Sequence, residues 1–467
     1  MNRDALAQKI DTGEIDTVLM VFPDAGGRLV GKRLTAPYFL EQAEAGTHGC
    51  NYLLTVNIEM DPLEGFKLAS WDQGYGDFAM KPDMETLRPL PWQKSSAMVI
   101  CDLHAESGEL IDEAPRSILK KQVDRLARLG LTCNIASELE FFLFNTSYHD
   151  ANVAKYAPAA LAPSSDYRID YHTMQTTRDE PIMHALRQQM PAAGVRVEST
   201  KGEWGKGQHE VNFIYDRPIV MADGHCVFKH GAKEIAEQNG KSITFMPKVF
   251  AHEAGNSCHI HVSIFDENGS RFWDPIAAAA AGPRVARPAA SDTSGAGASD
   301  YFHHFLGGLM QYSRELCLFF APTINAYKRY QSGSWAPTKM AWAHDNRTTG
   351  FRVVGHGNSL RIENRMPGGD ANPYLAFAAT IAAGLAGVEQ SLDCGEAYRG
   401  NAYVDDKLPA LPESLKDAAD LLEKSEMART AFGDSVVDFY VHAARHEVRA
   451  FEGAVTDWER MRYFERI

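Results

Sequence analysis

The chain has 467 residues, of which 45% are hydrophobic and 23% charged, values typical of globular proteins and unlike those of disordered or fibrous chains. This length suits one large catalytic domain with a smaller companion. Forty-seven Lys and Arg face 61 Asp and Glu, and the formal charge of −14 argues against nonspecific binding to nucleic acid or to an anionic membrane.

The N-terminal residues contain no apolar signal-peptide core, because Lys9, Asp11 and Glu14 make the first helix-like stretch polar. No apolar run reaches the roughly 18 residues that a membrane span needs. The seven cysteines are scattered and form no close pair typical of a zinc or redox motif, so we expect reduced thiols. The sequence therefore predicts a soluble, cytoplasmic protein that acts on small molecules and has no nucleic-acid or membrane partner.

The N-terminal region has the pattern of a small β-rich unit. Residues 17–22 and 29–32 read as two strands joined by a glycine-containing turn, and the apolar segment 97–101 reads as the last strand of the unit. From Pro115 onward apolar residues recur at helical spacing, which predicts an amphipathic helix. We therefore expect an N-terminal domain of residues 1–110 and a catalytic domain of residues 111–467.

Two further segments have a clear local character. Residues 277–300 are rich in Ala, Gly, Pro and Ser without periodicity, which predicts a long surface loop. Asn372 followed by Pro373 is typical of a helix N-cap with proline at the first helical position. An Ala-rich helix is predicted from there to about Leu392.

Four short segments carry a polar residue at every second position with mostly apolar residues between, as in a strand with one face on a polar cavity. These alternating residues are Glu138 and Glu140, then Glu210 and Asn212, then His259, His261 and Ser263, and finally Arg361, Glu363 and Arg365. A solvent-facing strand explains any one segment alone. A site for metal and phosphate explains the four together, since it needs carboxylates and imidazole in some strands and arginines in another.

The candidate metal ligands are five carboxylates and one imidazole: Glu138, Glu140, Glu203, Glu210, His259 and Glu363. Such a set consists mostly of hard oxygen ligands, which favour Mg²⁺ or Mn²⁺ over the thiolate-rich surroundings of structural zinc. Six ligands are enough to share between two ions.

These residues stand in an ordered series of motifs. The series runs E-x-E, E-x6-E ending in Gly207-Gln208-His209-Glu210, H-x-H-x-S, Asn325-Ala326-Tyr327-Lys328-Arg329, Asn346-Arg347, and R-x-E-x-R followed by Asn372-Pro373-Tyr374. In order and spacing, over nearly the whole chain, it resembles the glutamine synthetase family. A lone E-x-E is a weak motif, but the ordered set is highly specific.

The resemblance implies an α+β fold, in which a small β-grasp-like N-terminal domain adjoins a large catalytic domain with a curved antiparallel sheet flanked by helices. It implies a homo-oligomer of stacked hexameric rings, hence a dodecamer, with sites between neighbouring subunits. The implied substrates are glutamate, ATP and a nitrogen nucleophile. The implied reaction forms γ-glutamyl phosphate, from which the nucleophile displaces phosphate.

The resemblance assigns the six candidate ligands to two metal ions, with three ligands for each ion. Glu140, Glu203 and Glu210 would hold the metal nearer glutamate, and a second ion at the ATP phosphates would be held by Glu138, His259 and Glu363. Two or more Mg²⁺ or Mn²⁺ ions per site are therefore expected together with ATP.

The resemblance also implies roles for four arginines and a glycine. Arg347 would stabilise the phosphoryl transfer, and Arg329 and Arg365 match the arginines that bind the carboxylate of glutamate. Gly255 matches a backbone contact to the amino group of glutamate, although the family usually has Asn-Gly where this chain has Ala254-Gly255-Asn256. Arg352 matches a second phosphate-contacting position.

Three residues are expected on the nucleotide side. Arg361 matches a nucleotide-side arginine of the family, and His261 and Ser263 share its side of the predicted sheet. A hydrogen-bonded core histidine is the alternative for His261. Tyr403 lies near the position at which some bacterial relatives are adenylylated, but its flanking sequence matches poorly and an exposed loop tyrosine is the preferred interpretation.

The chain departs from the family where ammonium should bind. Trp335 occupies the position of a flap glutamate that receives a proton from ammonium, and the Asp-Gly-Ser-Ser latch that supplies a second anion is absent between Tyr52 and Phe78. Losing two anions should weaken binding of a small cation, whereas tryptophan offers an apolar wall and a π face to a larger amine. A tryptophan that only packs is the alternative.

This combination resembles the branch of the family that makes γ-glutamyl amides of ethanolamine, polyamines or short alkylamines, and we place ethanolamine first. An ordinary ammonia-using glutamine synthetase is the nearest alternative. A catalytically silent scaffold or regulatory homologue is the alternative of another class, although drift would not preserve all six ligand positions.

Overall fold

The computed structural model of the protein describes residues 1–42, 45–280 and 297–467. In these ranges two sheets are flanked by helices. The strands of the N-terminal sheet are β1 (Thr17–Pro23), β2 (Leu29–Thr35), β3 (Thr47–Cys50), β4 (Asp77–Pro82), β5 (Arg88–Pro89) and β6 (Ser96–His104). The strands of the large sheet are β7 (Thr132–Phe144), β8 (Val197–Gly202), β9 (Gln208–Phe213), β10 (Ser242–Thr244), β11 (Cys258–Asp266), β12 (Gly269–Ser270), β13 (Trp342–His344), β14 (Phe351–Val354) and β15 (Arg361–Asn364).

The helices of the N-terminal part and the first half of the catalytic part are α1 (Arg3–Asp11), α2 (Ala36–Gln42), α3 (Pro115–Arg128), α4 (Tyr148–Val153), α5 (Thr173–Arg178), α6 (Glu180–Ala192), α7 (Pro218–Gln238) and α8 (Pro275–Ala280). The later helices are α9 (Asp300–Tyr312), α10 (Cys317–Phe320), α11 (Pro373–Glu389), α12 (Leu415–Lys424), α13 (Glu426–Phe432), α14 (Asp434–Glu452) and α15 (Asp457–Tyr463). The α+β fold predicted from the sequence is confirmed.

The N-terminal sheet has the strand order β2-β1-β6-β4-β3, with β5 added beside β6. The predicted hairpin of β1 and β2 is confirmed, with Thr17 opposite Thr35 and Pro23 opposite Leu29. Strand β6 pairs parallel to β1 and antiparallel to β4, so the sheet is mixed. This central position explains why residues 97–101 are almost continuously apolar, because both faces of the strand are covered.

The large sheet has the order β13-β14-β15-β11-β7-β9-β8 and is antiparallel apart from the β13–β14 pair. Four neighbouring strands, β15, β11, β7 and β9, carry the alternating polar residues. Pairing of β7 with β11 places Glu138 opposite His259, and pairing of β7 with β9 places Glu140 opposite Glu210. The sheet therefore brings residues separated by more than 100 positions in the sequence to one surface.

The helix predictions agree with the structure in most details. Helix α3 begins at Pro115 as expected. Asn372 caps α11, since its side chain accepts a hydrogen bond from the Tyr374 N–H, but the helix ends at Glu389 rather than near Leu392. The loop prediction for residues 277–300 is wrong for residues 277–280, which belong to α8, and most of its length lies outside the described residues.

Helix α11 forms the centre of the catalytic part, and it is buried on nearly every face. It packs against α9 at close range because both helices carry glycine at the contact. A Cβ on Gly308 would lie 2.0 Å from the Ala383 carbonyl oxygen, and one on Gly387 would lie 2.2 Å from the His304 carbonyl oxygen. The two backbones could not approach this closely with any larger residue.

A buried ion cluster connects the two parts of the chain. Arg116, in α3, donates hydrogen bonds to Asp102 and Asp83 at 2.5 and 2.7 Å and to both oxygens of Asp223 at 3.0 Å. Because Asp83 and Asp102 belong to the N-terminal part and Asp223 to α7, one guanidinium holds both parts together. Within the described ranges, no helix has the length and hydrophobicity to cross a membrane.

Candidate active site

The first ligand group is formed where β7, β11 and β15 lie side by side. One ligand atom each from Glu138, His259 and Glu363 lies within 4.8 Å of the others. The Glu138 carboxylate is 3.1 Å from His259 Nδ1 and 2.9 Å from Nε2 of His261. The remaining ring nitrogen of His259, Nε2, is buried without a hydrogen-bond partner. Buried polar atoms normally have a partner, so this group has the composition and the spare bonding capacity of a cation site.

Glu363 is the most enclosed member of this group, with no exposed surface. It accepts hydrogen bonds from Arg365 and, at 2.7 Å, from Arg352. Burial raises its pKa, but the charges of His259 and Arg365 outweigh that effect and bring the pKa to about 2. Glu363 is therefore ionised at neutral pH and available as a ligand.

The second ligand group lies on the same face of the sheet, along the edge of β7 that pairs with β9. Glu140, Glu203 and Glu210 also place one carboxylate oxygen each within 4.8 Å of one another. Burial raises the pKa values of Glu140 and Glu210, and the charges of neighbouring glutamates raise them further. Three carboxylates this close repel one another, and a divalent cation between them would relieve the repulsion.

Two neighbours complete the second group. Gln208 donates hydrogen bonds to Glu140, at 3.1 Å, and to the carbonyl oxygen of Gly255, also at 3.1 Å. Lys201 forms an ion pair with Glu203 and lies opposite Glu210 in the β8–β9 pair. Lys201 belongs to the outer strand β8, and from there its charge partly neutralises the three carboxylates.

The two arginines expected to bind glutamate are both deeply buried beside the ligand groups. Arg329, which is 1% exposed, donates to the carbonyl oxygen of Met366 at 2.9 Å and to Ser257 Oγ at 2.7 Å. Arg365 donates to Glu363 and to the carbonyl oxygen of Trp335. In each arginine the Nε atom is buried without a partner. The protein thus fixes both guanidinium groups and leaves one N–H of each unsatisfied.

The residues expected on the nucleotide side lie along the same sheet. Arg361 Nε is 3.3 Å from His261 Nδ1, and His261 is held on its other side by Glu138. Ser263 is half-buried, two positions further along β11. Arg352 bridges Glu363 and Asp345. His261 has the hydrogen bonds of a core histidine, but its partners belong to the site.

Arg347 differs from the other arginines. It is exposed, in the turn between β13 and β14, and its side chain forms no ion pair or hydrogen bond with another described residue. Gly255 is enclosed, because a Cβ there would lie 2.5 Å from the Pro247 carbonyl oxygen and 2.8 Å from Arg329 Cγ. Its backbone carbonyl faces Gln208 and therefore the second ligand group.

Trp335 stands at the edge of the site in an unusual conformation. It is 50% exposed and has a φ of +65°, which is rare for a bulky residue. Its ring meets that of Trp204 edge to face, with centroids 6.1 Å apart, and the backbone N–H of Trp204 donates to the Glu203 carboxylate at 3.1 Å. The two rings therefore form an aromatic wall, and the backbones of its two residues contact Arg365 and Glu203.

The interpretation of Tyr403 as an exposed loop tyrosine is wrong. Tyr403 is half-buried, and its hydroxyl is fully buried near the backbone of Trp335. Burial raises its pKa, while the nearby charges of Arg365 and Arg329 lower it. The ring therefore points inward, toward the arginines. The sequence of the loop does not predict this orientation.

The sequence interpretation did not single out three of these neighbours as functional: Lys201, Trp204 and Ser257. A signal was available for the first two, since Lys201 precedes Glu203 by two positions and Trp204 follows it directly. Ser257 had no comparable signal. Its N–H donates to Glu140 at 2.7 Å and its hydroxyl accepts from Arg329, so it joins the second ligand group to the arginines.

Comparison with known proteins decides the family. The sequence profile described as "Glutamine synthetase, catalytic domain" matches residues 112–463. The chain belongs to the glutamine synthetase family. Members are ATP-dependent carbon–nitrogen ligases that use divalent metals, so this protein is such a ligase. The domain division at residue 110 stays a prediction.

Individual relatives span almost the whole chain. The gamma-glutamylethanolamide synthetase GlnA4 of Streptomyces coelicolor is 49% identical over 459 residues, covering 98% of this chain and 94% of the relative. A glutamate–isopropylamine ligase of a Pseudomonas species is 35% identical over 462 residues, covering 98% and 97%. A solved structure described as a GmaS/ADP complex is 28% identical with a TM-score of 0.82, covering 98% and 99%.

Proposed function

We propose that the protein is a γ-glutamyl amine ligase, which joins the γ-carboxylate of glutamate to a small primary amine, with ethanolamine as the preferred partner. The observation that carries the proposal is the aromatic wall of Trp335 and Trp204 at the edge of the site. An apolar wall stabilises the carbon skeleton of an amine and offers ammonium no counter-charge. The relatives named for ethanolamine and isopropylamine support this interpretation.

The reaction has two balanced steps. An oxygen of the γ-carboxylate attacks the γ-phosphorus of ATP, the bond to the β-phosphate oxygen breaks, and ADP leaves. The lone pair of the neutral amine then attacks the carbonyl carbon of the γ-glutamyl phosphate, the bond from this carbon to the phosphate oxygen breaks, and the nitrogen loses one proton. The products are a γ-glutamyl amide, ADP and phosphate.

Each group of residues has a role in this scheme. Glu140, Glu203 and Glu210 would hold one divalent cation, and Glu138, His259 and Glu363 another. When bound, Mg²⁺ or Mn²⁺ would neutralise the charge of the phosphates and the carboxylate. The fit rests on the spacing of each group and on the unpartnered His259 Nε2.

The arginines would orient the two substrates. Arg329 and Arg365 would bind the glutamate carboxylate through their unsatisfied N–H groups, with the Gly255 backbone near the amino group. Arg347, which has no partner among the described residues, would reach the transferring phosphoryl group. On the nucleotide side, Arg352 would contact the phosphates and Arg361, His261 and Ser263 the rest of ATP.

A panel of nucleophiles tests the proposal. ADP release should be measured with glutamate, ATP and Mg²⁺ or Mn²⁺ against ammonia, methylamine, ethanolamine and putrescine. We expect ethanolamine to give the highest kcat/KM. Ammonia as the best substrate would instead make the protein an ordinary glutamine synthetase, and no ADP release with any amine would make it a silent homologue.

We further propose that the protein assembles as a homo-oligomer of stacked hexameric rings with its sites between subunits. Family membership supports this. Light scattering coupled to size exclusion measures the mass directly. A mass near twelve times the 51.7 kDa chain is expected, and a stable monomer with full activity would contradict the proposal.

A further inference from the structure

The aromatic wall has a cation on its outer side. The guanidinium of Arg168 lies over the Trp204 ring, with Cζ 4.3 Å from the ring centroid. Trp204 in turn meets Trp335, so Arg168, Trp204 and Trp335 form a continuous row leading out of the site. An amine that binds along this row with its reactive nitrogen inside would extend its tail toward Arg168.

Arg168 is available to act on such a tail. Its side chain is exposed, and no residue in the described ranges forms an ion pair with it. The carboxylate of Asp170, two positions further along the chain, lies 3.6 Å from the ammonium of Lys201 and forms no ion pair with Arg168. The outer end of the row therefore carries an unpaired positive charge.

The same contact changes what Trp204 can bind. Aromatic faces attract cations, and sites for charged amines use several such faces. Here one face of Trp204 is already covered by a guanidinium. The row consequently offers apolar contact to an amine, while the Trp204 face that Arg168 covers is closed to a second ammonium group.

From this geometry we infer that Arg168 is a specificity-determining residue, which excludes diamines and polyamines and admits monoamines with a neutral tail. The inference rests on the proposed function and deepens it, since it selects ethanolamine-like and short alkyl monoamines from the wider class of amines. The discrimination should increase with tail length, because a longer tail that follows the row comes closer to Arg168.

Two amines of equal length isolate the charge. Putrescine carries a distal ammonium where 4-aminobutan-1-ol carries a hydroxyl, and the reactive ends are identical. Like charges about 7 Å apart near a protein surface correspond to roughly three- to tenfold in kcat/KM. Wild-type protein should therefore prefer the amino alcohol by about that factor, and added salt should reduce the preference.

Three variants locate the effect. Arg168→Gln should lower the preference to nearly one, whereas Arg168→Lys should keep it because the charge remains. Arg178→Gln is the matched control, since Arg178 is also exposed and ends α5 in the same part of the chain. It should keep the preference, which would show that the effect is local.

Several results would overturn the inference. They are equal kcat/KM for the two amines in the wild type, an unchanged ratio in Arg168→Gln, loss of the ratio in Arg168→Lys, or an equal loss in Arg178→Gln. Failure of the proposed function looks different, because ethanolamine would then not support ADP release above the rate with ammonia.

Discussion

Replacing Trp335 with glutamate should shift the enzyme from amines toward ammonia. The Trp335 ring is 50% exposed, so about half of it can contact a bound amine. At about 0.8 kcal/mol per buried methylene, half-contact with the two carbons of ethanolamine amounts to about 0.8 kcal/mol, or roughly fourfold in kcat/KM. A carboxylate about 5 Å from an ammonium ion contributes about 1 to 2 kcal/mol, or roughly tenfold.

The two effects multiply, so Trp335→Glu should change the ratio of kcat/KM for ammonia over ethanolamine by about 40-fold. The assay is coupled ADP release with each nucleophile at saturating glutamate and ATP. Trp335→Gln removes the ring without adding a charge. Its kcat/KM for ethanolamine should therefore fall only roughly fourfold. An unchanged ratio in Trp335→Glu would refute the role of Trp335 in specificity.

Three other perturbations test other parts of the site and fold. Arg347→Ala should lower kcat by roughly 100- to 1000-fold while ATP binding, measured by calorimetry, persists; wild-type turnover would rule out the assigned role. The raised pKa values of Glu140 and Glu210 mean that the metal-free fold loses stability as pH rises above the ordinary 4.5. The melting temperature without metal should therefore fall from about pH 5 to pH 9, and Mn²⁺ should raise it more at the higher pH; an equal effect at both would contradict this assignment. Arg116→Met leaves Asp223 buried without its cation, although Asp83 is partly exposed and Asp102 keeps Lys120. It should lower the free energy of unfolding by about 3 to 5 kcal/mol; a change below 1 kcal/mol in urea unfolding would show that the cluster is not structural.

Strand alternation explains why much of the site could be predicted from the sequence. Glu138 and Glu140 share one strand face, as do His259 and His261, and a period of two is visible in a single chain. The pairing of Glu138 with His259 was not visible in the same way. Register between strands 121 residues apart depends on tertiary packing, and a local pattern does not encode it.

The residues that were missed lie where periodicity gives no information. Trp204 follows β8 in a loop, and its position beside Trp335 depends on a contact between segments 131 positions apart. Tyr403 was assigned to an exposed loop because its flanking sequence matches no known modification site well, but its ring turns toward Arg365. Loops place side chains through contacts that are distant in sequence, so the pocket for the amine was harder to predict than the ligand groups.

The most direct test of the central claim is a competition between ammonia and ethanolamine at equal concentrations of the reactive, unprotonated forms. Mass spectrometry of the products with glutamate and ATP then reports the ratio of the two kcat/KM values in one reaction. We predict that γ-glutamylethanolamide predominates over glutamine. A product that is mainly glutamine would contradict the assignment of this protein as an amine ligase.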